Sequence, residues 1–198
     1  MDAVKSWNGL HVWTVGHSTR SLEELVALLR SFDVRVLADI RTVPRSRKNP
    51  QFNRDALPGS LAPHALEYAH LGRLGGLRHA RKDSINTGWR NENFRGYADY
   101  MLTPEFELGL GELRTLAERG RVALMCAEAV PWRCHRSLVA DVLTVRGAEV
   151  DDIMAVGRAN RHVLTSFAKA EGELVTYPPE NEGDRGGNQA NLPFKASR

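Results

Sequence analysis

The sequence predicts an α/β fold: a single domain built on a mostly parallel sheet flanked by helices, in a Rossmann-like three-layer arrangement. Two observations carry this expectation. Short runs rich in Val, Ile and Leu stop at glycine or polar residues, as buried parallel strands do. Stretches with apolar residues at helical spacing lie between those runs, so that strand and helix alternate. The length of 198 residues suits one domain with a substantial core.

The first strand is expected at 10–15, a run of β-formers that Gly16 stops at a turn. Ser21 and Glu24 have capping-box spacing and open a helix whose apolar stripe is Leu22, Leu25, Val26 and Leu29. The second strand, 34–40, completes a β-α-β unit whose right-handed crossover makes the two strands parallel. Residues 41–54 are basic and carry Pro44 and Pro50, so they read as a functional loop. A third strand at 65–71 leads into the Gly-rich turn 72–76 and a polar excursion through Asn93. Helices are expected at 94–101 and 104–118, the second capped by Thr103 with Pro104 at its first position. A fourth strand at 121–126, a helix at 137–145, a last strand at 149–156 and a closing helix at 159–170 complete the domain. Residues 1–9 read as an extension, 10–170 as the domain, and 171–198 as a flexible polar tail rich in Pro, Gly, Asn and charge.

Composition narrows the classes of function. No apolar stretch approaches the roughly 20 residues needed to cross a bilayer, so no membrane partner is expected. The amino terminus lacks the apolar core of a secretory signal, which makes a cytoplasmic location the default. Two cysteines do not amount to a secreted disulfide framework, and reduced thiols are expected. A net charge of +3 permits nucleic-acid binding without requiring it. The distribution of charge therefore matters more than its sum.

Ligands of open parallel α/β sheets bind beyond the carboxyl ends of the strands. That rule selects Gly16-His17-Ser18, Asp39-Ile40-Arg41 and the loop 126–136, and they are expected to converge on one pocket. His17 is a candidate general acid or base, with a hydrogen bond inside its loop as the plainer reading. Ser18 suits an anion at the next helix, unless Ser18 or Ser21 simply caps that helix. Asp39 and Arg41 either orient a substrate or form an ordinary ion pair. In the third segment Glu128 offers proton transfer, and Arg133, His135 and Arg136 offer substrate binding. Cys134, near a helix amino terminus and beside two arginines, is a candidate activated thiolate, or else a small packing residue. The spacing of Cys126 and Arg133 is one residue wider than the phosphate cradle of tyrosine phosphatases, so that mechanism is not carried over. Cys126, Cys134, His135 and His17 match no recognised zinc spacing, and neither metal nor cofactor is assigned.

In the basic loop, Arg45, Arg47, Lys48 and Arg54 are expected to follow a phosphate backbone while Phe52 stacks on a base. A solvated basic loop is the alternative. The polar and aromatic stretch 86–97 either widens that surface or closes the core.

Taken in order, Val15-Gly16-His17-Ser18, Asp39-Ile40-Arg41 with Pro44-Arg45-Ser46, Leu74-Gly75-Gly76, Phe94-Arg95-Gly96-Tyr97, and Cys126-Ala127-Glu128 through Cys134-His135-Arg136 form an ordered set. This set resembles the domain of unknown function 488 family over about Val12 to Val156. The resemblance implies an α/β fold and a shared site, and names no reaction. The leading expectation is an enzyme, of hydrolase or transferase type, acting on a phosphate-containing ligand such as a nucleotide or nucleic acid. A noncatalytic nucleic-acid-binding module is the alternative, followed by a cysteine-based redox or metal sensor. Oligomeric state is left open.

Overall fold

The computed structural model describes residues 6–179. The chain runs through β1 (His11–Gly16), α1 (Leu22–Arg30), β2 (Val36–Asp39), α2 (Leu57–Leu61) and β3 (Glu67–His70). It continues through α3 (Glu92–Tyr100), α4 (Pro104–Arg119), β4 (Val122–Cys126), α5 (Arg136–Val145) and β5 (Glu149–Ala155). Three short strands follow, β6 (Arg158–Arg161), β7 (Lys169–Glu171) and β8 (Leu174–Thr176). The main sheet has the order β3-β2-β4-β1-β5-β6, parallel throughout except for β6 at one edge.

Strand side chains alternate between two separate cores, which makes three layers. Val12, Val36, Ala38, Val122 and Leu124 face α3, α4 and α5, through Tyr97, Leu110, Leu113, Leu138 and Val142. Trp13, Leu37, Ala123 and Met125 face the other way, onto Leu25 and Leu29 of α1 and Leu57 and Leu61 of α2. These strands are buried on both faces, which is why they read in sequence as unbroken apolar runs. The expected caps also form: Ser21 and Glu24 close a reciprocal box on α1, and Thr103 accepts from Phe106 ahead of Pro104.

The sheet order matters for function. The chain steps from β1 past one neighbour to β2, and β4 later fills the gap between them. Gly16 lies opposite Cys126, and Asp39 opposite Met125, so the ends of β1, β4 and β2 stand side by side. A crevice at such strand ends is where α/β sheets bind ligands.

Three expectations are corrected. Residues 159–170 hold no closing helix: Val156-Gly157, with Gly157 at φ +66°, turns the chain back so that β6 pairs antiparallel with β5, and β7 follows. Polar tail was expected from 171, yet β8 pairs with β7 and Tyr177 is fully buried, its hydroxyl donating to Asp141 at 2.7 Å. Residues 180–198 of that tail lie outside the described residues. The basic loop leads into a helix that was not expected, α2, which opens with Pro58 in its first turn and passes at once into a 3-10 turn over Ala62–His64 that carries Pro63. Within the expected extension, Trp7 is buried against the first core. No helix among the described residues is long and apolar enough to cross a membrane.

Candidate functional site

The loops after β1 and β4 are tied to each other at the backbone. His17 N–H donates to the Cys126 carbonyl at 3.0 Å, and Ser18 N–H to the Ala127 carbonyl at 2.8 Å. Gly16 permits this approach: a Cβ there would lie 1.8 Å from the Glu128 carbonyl oxygen. The three expected segments thus meet at one end of the sheet. Beside them lies a cavity of about 440 Å³, walled by Arg41, Thr42 and Val43, the amino end of α3 (Asn91, Asn93 and Phe94), and Cys126, Glu128, Arg133, Cys134 and His135.

Arg41 is held rigidly at the edge of this cavity. Its Nε and Nη2 donate to the two carboxylate oxygens of Asp39 at 2.9 and 2.6 Å. Nη2 also donates to the Phe52 carbonyl at 2.6 Å, and Nη1 to His17 Nε2 at 3.1 Å. Since Arg41 can only donate, His17 Nε2 is an acceptor, and its Nδ1–H donates to the Ser18 carbonyl at 2.9 Å. His17 is therefore a neutral imidazole in a defined tautomer. Burial is the main cause that lowers its pKa, and the Arg41 charge adds to it. Asp39 is fully buried and accepts a further bond from the Tyr68 hydroxyl at 2.8 Å. Its oxygens are taken up by Arg41 and Tyr68, and Asp39 stands outside the cavity wall.

The opposite wall carries sulfur. Cys126 and Cys134 are free thiols, both buried, and His135 Nδ1 lies 3.9 Å from the first sulfur and 3.6 Å from the second. His135 Nε2 sits 3.1 Å from the Ile40 carbonyl, so Nε2 carries the hydrogen and Nδ1 faces the sulfurs. The ring fits because residue 76 is glycine: a Cβ at Gly76 would lie 2.3 Å from Nδ1. The cysteines share one proton unequally. Hydrogen bonding with the Cys134 thiol draws Cys126 well below the usual thiol range, while that same interaction and burial push Cys134 up. Cys134, the expected activated thiol, is thus the one shifted up, and Cys126 the one shifted down. One metal-capable group of side chains occurs among the described residues, Cys126, Cys134 and His135, with ligand atoms all within 4.8 Å of one another.

The remaining expected site residues divide clearly. Glu128 and Arg133 are exposed in the cavity wall. Arg136 is buried, and its Nη1 and Nη2 donate to the Glu128 and Ala129 carbonyls at 2.5 and 2.9 Å. It clamps the loop and stands outside the cavity wall. Ser18, at φ +50°, lies outside the cavity wall too, and Ser21 is the residue that caps α1. Phe52 is fully buried, its ring centroid 4.3 Å from that of His17, and so presents no face to a base. Arg45, Arg47, Lys48 and Arg54 are exposed. Asn91 and Asn93 belong to the polar and aromatic stretch 86–97, and Phe94 to the Phe94-Arg95-Gly96-Tyr97 motif, with no site role expected of any of them. Asn91 caps α3 by accepting from the N–H groups of Asn93 and Phe94, and this places that helix end in the wall.

The family model for the Domain of unknown function DUF488 matches residues 21–143. That span takes in Asp39, Arg41 and the whole 126–136 loop, and begins just after the Gly16-His17-Ser18 turn. No curated protein and no solved structure matches the chain. With more than half of its length covered by this match, the chain belongs to the DUF488 family.

Proposed function

We propose that the chain is an enzyme acting on a phosphate-containing ligand of the nucleotide class, bound in the cavity at the ends of β1, β2 and β4. One observation carries the reading: Arg41 and Arg133 stand in a wall whose one carboxylate is Glu128. Asp39 balances the charge of Arg41. Arg133 forms no ion pair among the described residues, and its exposed guanidinium is available to an anion in the cavity. Phe94 offers an aromatic surface and Asn93 an amide to a base, and the cavity volume falls in the range of small-molecule sites. Glu128 is the group assigned to proton transfer, taking a proton from water or a hydroxyl as that oxygen bonds to phosphorus and the P–O bond to the leaving phosphate or alcohol oxygen breaks, the leaving oxygen taking up a proton from solvent. His17 and Asp39 act by positioning Arg41.

A thermal-shift screen of nucleoside mono- and diphosphates, followed by product analysis by mass spectrometry, tests this reading. Arg133→Ala is expected to weaken the bound nucleotide about tenfold, or ~1.4 kcal/mol. Glu128→Gln is expected to slow turnover about 100-fold while changing affinity little. The exposed cations Arg45, Arg47, Lys48 and Arg54 favour a second reading, a noncatalytic nucleic-acid-binding module. Oligonucleotide binding without product, lost on substituting Arg45, Arg47 and Lys48 and unaffected by Arg133→Ala, would replace the enzyme by the module.

A further inference from the structure

We infer that Cys126, Cys134 and His135 form a three-ligand site for a zinc-class metal ion whose fourth position opens on the cavity. The inference stands on ligand geometry and goes beyond the nucleotide reading. A tetrahedral ion with Zn–S of about 2.3 Å and Zn–N of about 2.0–2.1 Å places sulfur and nitrogen about 3.6 Å apart. His135 Nδ1 lies 3.6 Å from Cys134 Sγ and 3.9 Å from Cys126 Sγ, so the three atoms already stand near the corners of such a site. The ligating nitrogen is oriented as metal-bound histidines are. Its partner Nε2–H is fixed on the Ile40 carbonyl at 3.1 Å, and this leaves the Nδ1 lone pair toward the sulfurs.

The surroundings suit a bound cation with two thiolates. Arg136, buried behind the loop, sets a positive charge near the cysteines. Two sulfurs and an imidazole select a soft or borderline ion over magnesium or calcium. All three ligands line the cavity, so the remaining position takes water or an oxygen of the cavity's ligand. Adjacent residues can both reach one ion because the backbone turns between them, from extended at Cys134 (φ −137°, ψ 144°) to helical at His135 (φ −56°, ψ −17°). That turn is invisible in a spacing rule, and for this reason the pattern matches no zinc-finger signature.

The test is cobalt titration of the full chain after removal of metal by chelation, under reducing conditions. We expect saturation at one ion per chain. The spectrum should show thiolate-to-cobalt charge transfer in the near ultraviolet and intense visible bands of tetrahedral geometry, both abolished by zinc. Cys126→Ser and Cys134→Ser should each lower the charge-transfer intensity, and His135→Ala should weaken cobalt by at least about tenfold. Should those variants misfold by circular dichroism, the wild type still decides: zinc should protect both thiols from iodoacetamide, as mapped by mass spectrometry. Failure of the thiol-intact wild type to take up cobalt, a weak octahedral spectrum, or alkylation indifferent to zinc would overturn the site. Nucleotide binding measured alongside by calorimetry keeps this result separate from the fate of the enzyme reading.

Discussion

Arg41 Nη1 donates to His17 Nε2 at 3.1 Å, so the histidine at the end of β1 is committed to holding an arginine of β2's loop. A general base needs its acceptor nitrogen free, and this one is occupied. His17→Gln keeps an acceptor for Arg41, whereas His17→Ala removes it. We predict that His17→Gln retains nucleotide affinity and turnover within about threefold, while His17→Ala loses about 1 kcal/mol of binding. Calorimetry and steady-state kinetics check this. A Gln variant that binds normally but turns over about 100-fold more slowly would return His17 to acid–base chemistry.

Arg136 has a structural task. It is 1% exposed and clamps two carbonyls of the loop that carries Glu128. Hydrogen bonds from a charged donor are worth about 1.5–3 kcal/mol each. Arg136→Ala is expected to cost on the order of 3 kcal/mol in urea denaturation, and Arg136→Lys to restore little of it because an ammonium lacks the two-pronged fork. A near-neutral Ala variant would show that the loop holds itself.

In chelator-treated protein, Cys126 is predicted to react with iodoacetamide faster than Cys134 between pH 6 and 7. Its thiolate is favoured by hydrogen bonding with Cys134, and both residues line the cavity. Peptide mapping after brief alkylation gives the ratio. Preferential labelling of Cys134 would reverse the direction of the two shifts.

His162 predicts how stability depends on pH. It sits between Asp141 of α5, at 2.8 Å, and Asp152 of β5, at 3.3 Å, with the Tyr177 hydroxyl and the Thr14 hydroxyl bonded to the same carboxylates. Burial alone would push its pKa down, but the two carboxylates overcome this and raise it to about 9. Because the folded value lies above the ordinary histidine value of 6.5, the contribution is complete below about pH 6.5 and is lost as pH rises through about 9. The melting temperature of the wild type should fall more between pH 6 and pH 10 than that of His162→Gln. Equal slopes would mean that His162 is not charged in the fold.

The parts of this account that were legible in sequence are those with local causes. Buried parallel strands show themselves as apolar runs, and Ser21 with Glu24 marks a helix start without help from the rest of the chain. The convergence of Gly16, Asp39 and Cys126 followed from a rule about strand ends. Roles were harder, because they depend on partners distant in sequence. Whether Phe52 stacks on a base or fills the core beside His17 is decided by packing, as is whether Arg136 meets an anion or two carbonyls. The His162 network joins β1, α5, β5 and Tyr177, segments with no common pattern. A two-residue turn with Gly157 at its second position was the overlooked signal for β6.

Ligand bound where Arg41, Glu128 and Arg133 meet is detected residue by residue in a nitrogen-resolved NMR titration with adenosine diphosphate. Amide shifts are expected to concentrate at 41–43, 91–94 and 126–135 and to be lost in Arg133→Ala. Shifts confined to the exposed cations of 45–54, or none for any nucleoside phosphate at millimolar concentration, would contradict binding there.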